Sequence, residues 1–84
     1  MNITYKFIVK KLKEDDRGYA SLFICEMQGA SDSGAKKNAN VTVSFGGDDY
    51  KPMGDWTQEQ IDAIAELHRE GIESTIATQF NQGA

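Results

Sequence analysis

The stretch GASDSGAKKN, residues 29–38, decides between two folds. Read as a phosphate-binding loop, it requires a strand before it, a helix after it and a parallel sheet around it. Read as a hairpin connection, it joins two antiparallel strands. Gly29 and Gly34 have the glycine spacing of G-x-x-x-x-G-K-[ST]. Ala35 then stands where the lysine should be, Lys36 comes one residue late, and Lys37 replaces the hydroxyl residue that would hold magnesium. The next segment, NVTVSF, alternates like a strand, so no helix N-terminus points its N–H groups at an anion. The hairpin reading is taken: residues 29–38 are expected to form a flexible surface loop whose Ser, Asp and Gly supply the turn conformations.

Working outward, both flanks alternate. In ITYKFIVKK, residues 3–11, Ile3, Tyr5, Phe7 and Val9 share one face, and Thr4, Lys6, Ile8 and Lys10 share the other. LKEDDRGY connects it to YASLFICEM, residues 19–27, where Phe23, Cys25 and Met27 face one way and Leu22 and Ile24 the other. In NVTVSF, Val41, Val43 and Phe45 point inward. Short connections between these segments predict an antiparallel meander.

The helix is announced at WTQEQI, residues 56–61. Thr57 as N-cap with Gln60 three residues on makes a capping box, and Trp56 with Ile61 makes a hydrophobic staple. Ile61, Ile64, Ala65, His68 and Ile72 follow helical spacing. Gly71 either ends the helix or lies inside a longer one. In the tail, Ile72, Ile76 and Phe80 recur at helical spacing but also share one strand face. Helix is the preferred assignment, with a fourth strand as the alternative.

The expected fold is therefore α+β, a βββα arrangement with the C-terminal helix packed on one face of a three-stranded antiparallel sheet. The expected core is Ile3, Tyr5, Phe7, Val9, Phe23, Cys25, Val41, Val43, Phe45, Ile61, Ile64, Ala65, Ile72 and Ile76. With 84 residues the chain is one domain, with loops at 29–38 and 46–55. A domain of this size buries only about 60% of its unfolded surface, which leaves room for a surface site rather than a deep cleft.

One cysteine rules out an intrachain disulfide, and MNITYKFIVKKL lacks the apolar core of a signal peptide. A cytoplasmic protein with no membrane attachment is expected. Neither a cofactor nor a metal is expected. The acids of GGDDYKPMGDW lack the order of a calcium loop, and His68 is the sole histidine. Cys25 sits between Phe23 and Met27, where cysteine acts as a small hydrophobe, so no catalytic residue is assigned.

The charge is unevenly placed. Residues 1–45 hold seven Lys/Arg and five Asp/Glu, and residues 46–84 hold two Lys/Arg and eight Asp/Glu. Helix acids Glu59, Asp62, Glu66, Glu70 and Glu73 recur on one face at spacings of three and four. Such a row can imitate a phosphate backbone and occupy the basic groove of a nucleic-acid-binding protein. The expected function is a small non-enzymatic binding protein, an inhibitor or adaptor of the accessory kind carried by phages and mobile elements. Its contact set is Asp48, Asp49, Tyr50, Asp55, Glu59, Asp62 and Glu66, with Tyr50 as anchor and another protein as partner. Direct nucleic-acid binding through the basic first strand and the lysine loop is the alternative. It is disfavoured by the net charge of −4.

Overall fold

A computed structural model describes residues 2–82. Three strands, β1 (Ile3–Glu14), β2 (Ala20–Ser31) and β3 (Lys36–Ser44), form one antiparallel sheet in the order β1-β2-β3. The helix α1 (Gln58–Gln82) covers one face. The α+β βββα architecture is thus the observed one.

The strands outrun their alternating cores. β2 continues through Gly29, Ala30 and Ser31, and β3 begins at Lys36, with Ala30 paired to Lys36. The expected loop over 29–38 shrinks to a turn in which Ser31 N donates to Ala35 O at 2.8 Å. Gly34, at φ 93°, takes the left-handed conformation that this reversal requires. Likewise β1 runs to Glu14, and the first connection is the tight turn Asp15–Tyr19. Long ladders add backbone hydrogen bonds cheaply once the register is set, so polar residues at the strand ends are recruited.

Register holds the main correction to the sequence reading. Phe7 pairs with Met27, but Val9 pairs with Glu26, which leaves Ile8 as the extra residue of a β-bulge. Directly paired residues share a face. Ile3, Tyr5 and Phe7 therefore face the helix, whereas past the bulge it is Lys10, opposite Cys25, and Leu12, opposite Phe23, that do so. Val9, expected in the core, is turned to the uncovered face beside Glu26.

At the centre lie Phe23, Cys25, Met27, Ala65, Ile72, Ile76 and Phe80, all buried. Each of the larger ones contributes about 1.5–3 kcal/mol by leaving water. Phe80 and Ile76 belong to the helix, so the tail is helical and the fourth-strand alternative fails. Gly71 lies inside α1 rather than ending it. The capping box forms as expected: Gln60 N donates to Thr57 Oγ1 at 3.1 Å, and Thr57 N donates to Gln60 Oε1 at 3.0 Å. Trp56 lies nearly parallel to the Phe45 ring at 5.0 Å between centroids, which anchors the helix start to the end of β3.

Candidate partner-binding surfaces

The acidic segment after β3 is not a free loop. It makes two 3-10 turns, Gly47–Asp49 and Met53–Asp55, and is laced to the β1–β2 turn. Phe45 N donates to Ser21 O, Ala20 N to Lys51 O and Met53 N to Gly18 O, each at 2.9 Å. Asp15 organises this corner. Its Oδ1 accepts from Arg17 N at 2.9 Å and Tyr19 N at 3.1 Å, and its Oδ2 accepts a short hydrogen bond from the Tyr50 hydroxyl. The Tyr50 ring rests on Tyr19 at 5.1 Å. Tyr50, expected as a partner-facing anchor, is half-buried and spends its hydroxyl inside the protein.

The other six residues of the expected contact set divide. Asp48, Asp49, Asp55 and Glu59 are exposed, and none has an ion-pair partner among the described residues. Asp62 meets Lys10 Nζ at 2.9 Å, and Glu66 receives two bonds from Arg69 at 2.7 Å. Lys10 and Arg69 lie 5.3 and 4.5 Å from the centroid of the Phe7 ring. This cluster pins the β1 side of the helix to the sheet. It explains why the regular row of helix acids is not a free row: two of its members neutralise local cations, and Glu73 lies 3.5 Å from Arg69. Lys10 and Asp15 do not stand out in the sequence as organising residues, because their side-chain partners Asp62 and Tyr50 lie 52 and 35 residues away, whereas Arg69 meets Glu66 and Glu73 at local helical spacing.

The carboxyls of these pairs are shifted. The Tyr50 hydroxyl holds Asp15 below the usual carboxylate range, Lys10 does the same for Asp62, and Arg69 for Glu66. Groups lowered in the folded state contribute stability that is present above their unfolded value, near 4. That contribution is lost as pH falls through the lower folded values. The melting temperature is accordingly expected to hold from neutrality to about pH 4.5 and to drop below it. Thermal melts of wild type and Asp15→Asn check this: the variant should start lower and decline less steeply in acid. Parallel acid limbs would show that the Asp15 bonds are not formed.

Among the described residues no element covers the opposite face of the sheet. By register it carries Lys6, Val9, Lys11 and Lys13 from β1, Leu22, Ile24, Glu26 and Ala30 from β2, and Lys36 and Asn38 from β3. The aromatics Tyr5 and Phe7 lie on the helix side, packed against the core.

Cys25 and His68 are the cysteine and the histidine of the chain. Cys25 is fully buried, and burial pushes its thiol pKa up, so the thiolate is disfavoured. His68 lines a groove of about 230 Å³ between β3 and the helix, together with Ala39, Asn40, Val41, Leu67, Gly71, Ile72 and Thr75. Among the described residues no group of three or more His, Cys, Asp or Glu could hold a metal ion. No described helix is long and apolar enough to cross a membrane.

The fold defines a small α+β protein. Comparison with family models, with curated proteins and with solved structures finds no match to this chain.

Proposed function

We infer that this chain is a non-enzymatic protein-binding module, an inhibitor or adaptor whose contact surface is the acidic segment leading into the helix. The observation behind this reading is that Asp48, Asp49 and Asp55, on a segment laced to Gly18, Ala20 and Ser21, and Glu59, in the first turn of the helix, are exposed and, among the described residues, without ion-pair partners. Preorganised charge binds with less ordering cost than charge on a mobile loop. Complementary charge also speeds encounter and selects partners. The fitting partner is a basic surface, such as the nucleic-acid groove of another protein. Asp62, Glu66 and Tyr50 serve instead as internal supports.

The test is capture of partners from the source cell with wild type and with a variant carrying Asp48→Asn, Asp49→Asn, Asp55→Asn and Glu59→Gln. The variant should melt within a few degrees of wild type, since exposed substitutions cost little, and should lose its partner in a salt-dependent way. The bulge gives the alternative reading a specific basis, because it sets Lys6, Lys11 and Lys13 on the uncovered face with Lys36. Retained partner binding by the acid variant, with steeply salt-dependent binding of duplex DNA or RNA that Lys11→Gln and Lys13→Gln abolish, would replace the acidic-surface reading.

A further inference from the structure

The two edges of the sheet are built differently. β1 has a bulge at Ile8 and carries Lys6, Lys10, Lys11 and Lys13. Bulges and lysines are the usual devices that keep an edge from pairing with another strand. β3 has neither a bulge nor a proline: it is nine residues long, with an unbroken register against β2. Beyond Lys37 it has no charged residue.

Beside that unguarded edge runs the groove between β3 and the helix. Its outer wall is Leu67, 81% exposed and far more open than any other large apolar side chain described. One turn on, Gly71 leaves open space where a side chain would project. An exposed glycine in a helix interior is less stable than alanine there.

We propose that β3 is a self-association edge, through which two copies of this chain pair antiparallel about a two-fold axis into one continuous sheet. An axis perpendicular to the sheet places both helices on the same face, side by side and antiparallel. If each helix lies over its own β2, their axes are about 14 Å apart, three strand spacings. Helices in direct contact lie about 8–10 Å apart, so side chains must fill the seam. With the axis near Asn40 and Gly71, Leu67 of each copy lies opposite the Gly71–Thr75 turn of the other. The groove and the exposed leucine are then brought into one seam.

Charge selects this orientation and this occupant. Lys36 and Lys37 open β3, and the chain leaves its far end towards Asp48 and Asp49. Antiparallel pairing of two copies sets the lysines of each near the acidic exit of the other. Parallel pairing would set lysine against lysine. The contact is isologous, so it closes at two copies and does not propagate.

Sedimentation velocity over a range from about 1 µM to about 1 mM tests the proposal. The full chain should pass from the mass of one copy to that of two. Leu67→Lys and, separately, Asn40→Lys should weaken the dimer at least tenfold. Both residues are exposed in the monomer, so circular dichroism and melting of the diluted variants should match wild type. Hydrogen exchange at β3 amides should slow on concentrating wild type and not the variants. One-copy mass throughout the range, a dimer indifferent to both substitutions, or assemblies that keep growing would each overturn it. So would a chain that stays single while its β3 amides are protected only by an added extended peptide.

Discussion

Gly29→Ala is expected to destabilise the protein by about 1–3 kcal/mol, although alanine is normally the better strand residue. An added Cβ would sit 2.5 Å from Ile76 Cγ2, 3.1 Å from Ile3 Cγ2 and 3.4 Å from Tyr5 Cε1. Ile76 is fully buried, so it has nowhere to swing, and the helix must lift from the sheet to admit a methyl group. The clash has to outweigh a gain of about 0.5–1 kcal/mol from stiffening the unfolded chain. Ile76→Ala alone leaves a cavity and costs about 2–5 kcal/mol. In the double variant the new methyl occupies part of that cavity, so the two costs should not add. A coupling of about 0.5–3 kcal/mol is expected from urea melts of the four proteins. Strict additivity would mean that the helix does not rest on Gly29.

Phe23→Ala should be harsher still, costing about 3–5 kcal/mol. Phe23 lies in the middle strand, is fully buried, and pairs with Leu12 on one side and Val43 on the other. The total stability of a chain this size is of the order of 5–10 kcal/mol, so a large part of it would go. Chemical denaturation measures the loss, and binding of a hydrophobic dye would report the loosened core. Leu67→Ala is the control, because a side chain that is 81% exposed has little to lose in the monomer. Equal losses at the two positions would put Phe23 outside the core.

These effects show where sequence was informative. The alternation of Tyr5, Phe7, Phe23, Cys25, Val41 and Val43 marked three strands and their buried faces. The Thr57–Gln60 box marked the helix start to the residue. Such signals are legible because they depend on neighbours a few residues away, through the pleat of a strand or the turn of a helix. Even the bulge left a trace, since Leu12 is out of phase with Ile3, Tyr5 and Phe7. Gly29, met first as half of a glycine pair, takes its meaning from Ile76 across the core.

By itself, the sequence determined the element order, the antiparallel meander, the helical cap and the excess of acids in the second half. Tertiary structure alone decided the pairings between residues far apart in the chain. Asp62 is neutralised by Lys10, 52 residues away, and Asp15 is engaged by Tyr50, 35 residues away. The strength of a charge pair or a hydrogen bond depends on a separation of a few ångströms. Between residues so distant in the chain, that separation is set only when the helix and the acidic segment dock on the sheet.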